Sequence, residues 1–530
     1  MLNRKALLTA LLVPALALAG ASQAVAQERG GIAAAPLYGD PARFDPHKEA
    51  VLAVQDVIAG IFSSLLQWDP SNPKEIVPDL ALSYDVSPNK LVYTFKLRPG
   101  VKWHDGQPFS AEDVKATFDR IIKPDFRSPR CGAMMKPLIK QVEVVDPLTV
   151  RFTLKTPAVT FITATASAWC RIIPKHILER DGDFSQTKSL IGTGPFKFAR
   201  YERGSVVEWE RNPNYYDSRY PYLDGVKFFV LRGNERLLAA ARAGRIYKAQ
   251  AWPGLTPQIA YSLRDARGDE INMWPGPLNN LGMLLVNSSK PPFDKRDMRR
   301  AVHLAIDRHE TFEKLYDGIG APCQVLDQKV YGDFGLPAEE VLKLPGCRKD
   351  KTEDIAEAKR LVAKHYPNGV DVEVAVRAIG NFVQRTELAV ADLRKVGIRG
   401  KIRTYDSASG IAAYRRGDFT LIGSQDLGMY MPDPSAPFGL FFVTGGGFNV
   451  GKWSNPTLDK LAEQALREHD RAKRIELYHR MQRIVLTEDA PGAVIGGVYA
   501  YFFTDKKLKG YKPGPTMFDN GTFMKVWLNQ

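Results

Sequence analysis

The chain has 530 residues, too many for a single hydrophobic core, which indicates two or three domains. Its 44% hydrophobic and 25% charged residues are typical of a soluble globular protein, and nothing after residue 26 is long and apolar enough to span a bilayer. The net charge is +14, but lysine and arginine are spread along the chain without long runs, so a basic soluble protein is favoured over a nucleic-acid-binding one.

Residues 1–26 have the pattern of a secretory signal peptide. A charged start precedes an apolar stretch over residues 6–19 and a small-residue cleavage site ending at Ala26. The apolar stretch is shorter than the ~20 residues of a membrane helix and contains Pro14. We expect cleavage after Ala26, and because Gln27 rather than a cysteine follows, we expect an exported protein without a lipid anchor, free in a periplasm.

The first elements of the mature chain are short. Residues 32–46 begin as a small apolar strand and end in turns, and a helical apolar pattern covers residues 51–65. Farther on, apolar positions at 142–144 and 150–154 flank a turn and predict a β-hairpin.

A strand–strand–helix unit is predicted over residues 90–122. Apolar and polar side chains alternate from Tyr93 to Arg98, as in a strand with one buried face. Pro-Gly and Asp-Gly turn pairs then bracket a short second strand that carries Trp103. Ser110 stands at the N-cap of the following helix, with Asp113 as its capping-box partner.

The same stretch resembles a known family. The run from Tyr93 to Val114, Y-T-F-K-L-R-P-G-V-K-W-H-D-G-Q-P-F-S-A-E-D-V, resembles the signature of family 5 extracellular solute-binding proteins. These are the dipeptide, oligopeptide, opine and nickel-chelate receptors of bacterial ABC importers. Three further blocks are similar to family landmarks: G-T-G-P-F at 192–196, R-N-P-N-Y-Y at 211–216 and the segment 293–307.

Two motifs within this region have competing interpretations. His104, inside W-H-D-G, is either a catalytic partner of Asp105 or a turn histidine bonded to backbone, and we favour the turn. Gly192-Thr-Gly194 lacks the remaining residues of a nucleotide-binding loop, so we expect a tight turn between strands. No hydrolase motif is present, and we predict that the protein is not an enzyme and takes no cofactor and no metal.

The four cysteines suit an exported protein. An even number suggests two disulfides, which we assign as Cys131–Cys170 and Cys323–Cys347; the alternative is four buried thiols. No cysteine–histidine spacing indicates zinc.

The second half of the chain changes pattern after Trp274. A βαβ unit over residues 370–404 indicates a parallel sheet. The other predicted elements are a buried strand over 281–286, amphipathic helices over 293–307, 456–468 and 470–487, and an apolar strand over 494–503.

Ligand-binding candidates follow the strands of the βαβ unit, because open α/β sheets bind ligands at the carboxyl ends of their strands. Arg377 ends the first strand and either holds a carboxylate through two hydrogen bonds or faces the solvent. Asn381 opens the helix, and Tyr405 ends the second strand.

The loop 426–433 resembles the ligand-contacting loop of the family. In its peptide receptors an aspartate three residues before an acidic-Pro step pairs with the peptide ammonium. Here Asp433 precedes the proline, and the position three residues earlier is Tyr430, which puts an ordinary peptide ligand in doubt. Asp426 is a further candidate, and Asp433 is either a ligand or a helix cap.

Aromatic residues supply candidate cleft walls. Phe448, in a glycine-rich segment, and Trp453 resemble the rim of the family's cleft. Trp252 is either an opposing wall or a core residue, and the resemblance places the end of the first strand, at Tyr38, beside the ligand.

The resemblance implies an α/β, two-lobed periplasmic-binding-protein fold (class II, cluster C type) with an extra subdomain in lobe one. We expect lobe one over 27–276 and 503–530, its extra subdomain over about 60–185, and lobe two over 277–502. The strands connecting the lobes are expected near 275–279 and 500–504.

The function implied is that of a periplasmic substrate-binding protein of an ABC importer, which captures a short peptide or peptide-like solute by hinge closure and delivers it to the permease. The alternatives are a receptor for a non-peptide solute such as an opine, glycoside or metal chelate and, last, an exported hydrolase. The expected partners are the solute and the inner-membrane permease of an ABC importer, with no nucleic acid, and we expect a monomer.

Overall fold

The computed structural model describes residues 27–41, 43–49, 51–249, 254–428, 432–514 and 523–529. The predicted signal peptide lies outside these ranges. Across the described residues, no helix has the length and apolar character needed to cross a membrane.

Strands and helices alternate along much of the chain, as in an α/β protein. The strands, in chain order, are β1 (Ile32–Leu37), β2 (Leu66–Asp69), β3 (Asn72–Pro78), β4 (Ala81–Val86), β5 (Val92–Leu97), β6 (Ile139–Asp146), β7 (Thr149–Leu154), β8 (Phe196–Glu202), β9 (Val206–Arg211), β10 (Gly225–Val230), β11 (Ile271–Val286), β12 (Gly320–Pro322), β13 (Val370–Arg377), β14 (Ile398–Tyr405), β15 (Leu421–Gly428), β16 (Gly492–Asp505), β17 (Leu508–Lys509) and β18 (Trp527–Leu528).

The α-helices are of uneven length, and the longest belong to the second half of the chain. They are α1 (Leu52–Ile58), α2 (Ala111–Ile122), α3 (Cys131–Met135), α4 (Thr160–Thr165), α5 (Lys175–Asp181), α6 (Asn234–Arg242), α7 (Pro257–Arg267), α8 (Arg296–Ala305), α9 (Arg308–Tyr316), α10 (Gln328–Tyr331), α11 (Ala338–Val341), α12 (Thr352–His365), α13 (Phe382–Lys395), α14 (Ser407–Arg416), α15 (Ser435–Pro437), α16 (Pro456–Arg467) and α17 (Arg471–Arg483). Single π-helical turns follow α15 and α17, at Phe438–Phe442 and Ile484–Glu488.

The sheets form two lobes, as predicted. The first lobe is built on the sheet β1-β10-β9-β8, and a separate antiparallel sheet, β4-β5-β7-β6, adjoins it. We call this second sheet and its helices, residues 65–172, the small-sheet unit; it has its own hydrophobic core. The second lobe is built on the six-stranded sheet β12-β16-β11-β15-β13-β14, with a hydrophobic cluster on each face.

The two longest strands, β11 and β16, run side by side as an antiparallel pair. They are paired from Ile271 at one end of β11 to Leu285 at the other, with a register shift between Pro277 and Leu281. Near the first end, β16 also bridges to Leu255 of the first lobe. We call β11 and β16 the crossing strands, because they belong to the second-lobe sheet and also contact the first lobe.

The strand–strand–helix prediction is largely confirmed. The first strand is β5, and the helix is α2, whose N-cap Ser110 forms a capping box with Asp113. The predicted short second strand is only an isolated bridge between Lys102 and Pro108. Burial of the Trp103 ring, whose Nε1 donates to Asp113 at 3.4 Å, fixes this loop against the helix instead.

The helix predicted over 51–65 is shorter than expected, because α1 ends at Ile58. The residues that follow are hydrogen-bonded to the glycine turn instead. Gly194 N–H donates to the carbonyl of Ile61 at 2.8 Å, and Phe196 N–H donates to that of Gly60 at 3.0 Å. The turn is therefore a tight backbone contact, as the sequence indicates.

His104 joins this turn to the W-H-D-G loop. Its Nδ1 accepts from Gly192 N–H at 3.2 Å, so the proton lies on Nε2, which donates to the carbonyl of Gly194 at 3.0 Å. Burial lowers the pKa of His104 to about 4, and the ring is neutral at pH 7. Both ring nitrogens bond to backbone, in agreement with the turn interpretation.

Replacing Gly192 with alanine should lower the free energy of unfolding by about 3 kcal/mol, the upper end of typical overpacking costs. A Cβ at this position would overlap the carbonyl oxygen of Ile61, which is fixed in the core. Urea unfolding measures the effect. Gly39→Ala is the matched control, since a Cβ there meets no atom of the described residues within 4 Å, and it should change stability by less than about 0.5 kcal/mol. Equal effects of the two substitutions would contradict the close-approach explanation.

Both predicted disulfides are confirmed. Cys131–Cys170 lies in the small-sheet unit with a Cα–Cα distance of 5.2 Å, and Cys323–Cys347 lies in the second lobe with a Cα–Cα distance of 5.7 Å. All four cysteines are buried.

Candidate functional site

A cavity of about 60 Å³ lies where both lobes meet the crossing strands. Its walls come from the start of α7 in the first lobe, from the β13–α13 loop and the end of β15 in the second lobe, and from β16. The residues that present polar groups or rings along it include Thr256, Tyr316, Asn381, Asp426 and Tyr499. Strands β13 and β15 are parallel, and the cavity lies beside their carboxyl ends, the usual ligand position in open α/β sheets.

The acidic residue of the cavity, Asp426, is held in a buried ion pair. Its Oδ1 accepts from Nη1 of Arg385 at 2.7 Å, and the two side chains are 11% and 2% exposed. Burial opposes the charge of Arg385, but the adjacent carboxylate outweighs it and the pKa of Arg385 is raised. Nε and Nη2 of Arg385 have no hydrogen-bond partner among the described residues. The carboxylate of Asp426 is thus already neutralised from within the second lobe.

Asn381 lines the cavity beside Tyr316. The Tyr316 hydroxyl donates to Asn381 Oδ1 at 3.1 Å. Burial raises the pKa of Tyr316 to about 12, so this hydroxyl stays protonated at pH 7. The bond fixes the amide of Asn381 at the first turn of α13, where it faces the cavity.

Arg377 and Tyr405 end adjacent parallel strands and are register partners. Arg377 is 7% exposed, and its guanidinium donates to Ser407 Oγ at 3.2 Å and to Gln425 Oε1 at 3.1 Å. Among the described residues, no carboxylate lies within ion-pair distance of it, and burial lowers its pKa. The solvent-facing interpretation of Arg377 is therefore wrong: it is a buried cation held by neutral partners.

Asp433 has a structural position. Its Oδ1 accepts from Ser435 N–H at 2.9 Å, at the start of α15, and from Nη2 of Arg474 on α17 at 2.8 Å. The side chain is 8% exposed. Asp433 precedes the N-cap Pro434, so these contacts give it a structural position at the start of α15.

Phe448 and Trp453 occupy different environments. Phe448 is half-buried, with its ring 5.8 Å from that of Phe441. Trp453 is 2% exposed and packs in the second-lobe core, 6.5 Å from Phe442, rather than on a cleft rim. The cause is Asn449, whose side chain bonds to both backbone groups of Trp453 and folds this loop inward.

The remaining candidates are peripheral or outside the described residues. Tyr38 directly follows β1 and is 41% exposed. Trp252 and Tyr430 lie outside the described residues. Of the predicted site residues, the structure thus brings Asn381 and Asp426 to one cavity. It pairs Arg377 with Tyr405 at the ends of adjacent strands, and neither they nor Asp433 and Trp453 line the cavity.

Sequence reasoning missed Arg385, Tyr316 and Asn280. Arg385 had a weak signal, since it stands one helical turn after Asn381 on α13. Asn280 is 7% exposed and lines a second cavity of about 10 Å³ together with Asp327. In the part of the chain that the structure describes, neither atom of its side-chain amide has a hydrogen-bond partner. That cavity has room for about one water molecule.

Comparisons with known proteins agree with this architecture. The family model described as "Bacterial extracellular solute-binding proteins, family 5 Middle" matches residues 75–449, more than half of the chain. The chain is 27% identical to Di/tripeptide-binding protein 1 of Pseudomonas aeruginosa (strain UCBPP-PA14), covering 99% of both chains. It is 26% identical to the Dipeptide-binding protein of Escherichia coli (strain K12), covering 83% of this chain and 84% of that protein.

A solved structure is similar over nearly the whole chain. The periplasmic binding protein DppA of Helicobacter pylori, in complex with the peptide STSA, superposes with a TM-score of 0.79 at 24% identity, covering 95% of this chain and 99% of that one. At this identity the likeness establishes the fold.

Proposed function

Since this chain belongs to the family 5 bacterial extracellular solute-binding proteins, we propose that it captures a short peptide or peptide-like solute and delivers it to the permease of an ABC importer. The family consists of solute-binding transport proteins, and we propose that this member binds its solute without altering it. Its relatives named as di- and tripeptide-binding proteins support the choice of solute.

The cavity lined by both lobes carries this proposal. Solute contacts made by both walls form only when the lobes are together, so binding favours the closed arrangement. The register shift between Pro277 and Leu281 in the crossing strands supports a hinge at this level. The permease would then recognise the closed shape.

The same hinge supports the proposed lobe limits. We place lobe one at 27–276 and 503–530 and lobe two at 277–502, with the small-sheet unit as the core of the extra subdomain. We further propose that the protein is a periplasmic monomer from which residues 1–26 are removed after Ala26.

The charges at the site favour a solute that carries a carboxylate. Arg377 is buried, its hydrogen-bond partners among the described residues are the neutral side chains of Ser407 and Gln425, and Gln425 directly precedes the cavity residue Asp426, so a carboxylate bound there would compensate its charge. The acidic residue among the described lining residues, Asp426, is already paired with Arg385, and so is not free for a ligand ammonium. The pairing of Asp426 with Arg385 favours a second candidate function, the binding of a solute without a free ammonium, such as an opine.

Screening of the purified protein against di-, tri- and oligopeptides and opines tests the proposal. A solute present at a hundredfold excess over its Kd should stabilise the protein by about 2.7 kcal/mol in thermal unfolding. Comparing each effective peptide with its N-acetylated form separates the two candidates, because only a peptide receptor should lose affinity. Absence of stabilisation by every class, or turnover of a solute by the pure protein, would contradict the proposal.

A further inference from the structure

The small-sheet unit contacts the second lobe through an aromatic sandwich. The guanidinium carbon of Arg130 lies 5.4 Å from the ring centroid of Trp169 and 6.0 Å from that of Phe448. Arg130 and Trp169 belong to the small-sheet unit, whereas Phe448 belongs to the second lobe. One cation therefore stacks between rings from two parts of the molecule that closure would bring together.

A disulfide holds the first-lobe half of this sandwich. Cys131 directly follows Arg130, Cys170 directly follows Trp169, and the two cysteines are bonded with a Cα–Cα distance of 5.2 Å. Residues separated by 39 positions in sequence are thereby kept side by side. The guanidinium of Arg130 and the indole of Trp169 are therefore already side by side before the lobes close on Phe448. This preorganisation lowers the entropy cost of forming the contact.

The second-lobe half is carried by the glycine-rich segment. Phe448 N–H donates to the carbonyl of Leu440 at 3.0 Å, and its ring packs on Phe441. Gly445 has a φ of +76°, and a Cβ at Gly446 would crowd the carbonyl oxygen of Leu440, so glycines are needed to turn the chain here. The contacts with Leu440 and Phe441 thus hold Phe448 in position toward the small-sheet unit.

Two further contacts join the small-sheet unit to the second lobe. Val159 N–H in the small-sheet unit donates to the carbonyl of Leu466 in the second lobe at 3.2 Å. Ala436 of the second lobe is 2% exposed and packs in the core of the small-sheet unit. These contacts and the sandwich together join the small-sheet unit to the second lobe, and we call them the seam.

We infer that Arg130, Trp169 and Phe448 form a latch that stabilises the closed arrangement of the lobes, preset by the Cys131–Cys170 disulfide. The inference rests on the proposed function, since a latch has a role only in a protein that opens and closes. The latch lies outside the solute cavity, so it sets how readily the lobes close rather than which solute is bound. A cation–aromatic contact of this kind should change the ratio of closed to open molecules by about two- to fivefold.

The experiment traps the closed form without any solute. Cysteines are introduced at Val159 and Leu466, where the seam places the two backbones in hydrogen-bond contact, while the native cysteines stay paired. The rate of disulfide trapping under mild oxidation reports the closed population when closing is fast relative to trapping. Arg130→Ala and Phe448→Ala should each slow trapping by about two- to fivefold. Because the two side chains share one contact, the double variant should be little slower than either single one.

Matched controls separate the latch from a general loss of charge or stability. Arg127→Ala removes an exposed arginine from the same loop and should leave the trapping rate unchanged. Replacing Cys131 and Cys170 with serine should slow trapping, whereas replacing Cys323 and Cys347 should not. Far-UV circular dichroism and thermal unfolding check that each variant is folded.

Equal trapping rates for Arg130→Ala, Phe448→Ala and Arg127→Ala would overturn the latch. Failure to trap any protein would also overturn it, because the seam would then not form in solution. Neither result depends on a solute, so failure of the latch is distinguishable from failure of solute binding.

Discussion

Replacing Arg385 with alanine should lower the free energy of unfolding by about 3–5 kcal/mol, the range for removing one partner of a buried ion pair. Both side chains of the Arg385–Asp426 pair are largely buried, at 2% and 11% exposure. The variant leaves the carboxylate of Asp426 without its counter-charge at the wall of the cavity. Urea unfolding at pH 7 measures the loss, and titration with any solute found by screening should show weaker binding, since the wall itself is disturbed.

The matched control is Arg399→Ala. Arg399 donates to Asp371 at 2.8 Å, nearly the distance of the buried pair, but these side chains are 47% and 78% exposed. Its loss should cost no more than about 1 kcal/mol. The double variant Arg385→Met with Asp426→Leu should be less destabilised than Arg385→Ala, because no isolated charge remains. Equal effects of the Arg385 and Arg399 substitutions would refute the role of burial.

Stability should fall steeply as the pH drops from about 6.5 toward 4. Burial, assisted by Arg120, lowers the pKa of His47 to about 4; burial lowers that of His104 to about 4; and burial, assisted by Arg308, lowers that of His303 well below its usual range. In this window the unfolded chain binds protons that the folded chain does not, so acid favours unfolding. Each histidine contributes roughly 1.4 kcal/mol per pH unit.

Buried carboxyls oppose this trend, since burial raises the pKa of Asp79, Asp113 and Asp327 as well as that of Asp56. Burial raises the pKa of Asp56 to about 6, so below that pH the folded chain binds a proton that the unfolded chain does not yet bind. The net slope near pH 5 should therefore be smaller than the three protons that the histidines alone would give. Unfolding by urea at a series of pH values gives the slope directly.

Two histidine variants check the assignment. His104→Ala should reduce the slope by about one proton, whatever its effect on absolute stability. His469→Gln replaces an exposed histidine and should leave the slope unchanged. A flat profile between pH 6.5 and 4.5 would show that the buried rings do not resist protonation.

Much of the fold could be predicted from local sequence patterns, because the caps, strands and helices concerned are determined by residues that are close together in the sequence. The capping box at Ser110, the alternation in β5 and the βαβ unit at β13–α13–β14 are all confirmed. The exception at α1 has a non-local cause. Its apolar periodicity continues beyond Ile58, but the backbone there bonds to the turn at Gly194, more than a hundred residues away, and no local pattern encodes that contact.

The site was only partly predictable for the same reason. The end of strand β13 located Asn381 at the cavity, since open parallel sheets bind ligands at the carboxyl ends of their strands. Which charges are already paired depends on partners distant in sequence. Asp426 is bound by Arg385, and Asp433 by Arg474, each 41 residues away. In the sequence, an aspartate that is free to bind a ligand cannot be distinguished from one that is paired in the core until these partners are known.

The pairing of β11 with β16 limits how the molecule can move. Neither strand can bend alone, because the two strands are hydrogen-bonded to each other on both sides of the register shift that follows Pro277. A rotation of one lobe relative to the other must therefore twist β11 and β16 together. Twisting of the paired strands allows one rotation of the lobes, whereas sliding of one lobe past the other would break the hydrogen bonds between β11 and β16. The two walls of the cavity would therefore return to the same alignment each time the lobes close.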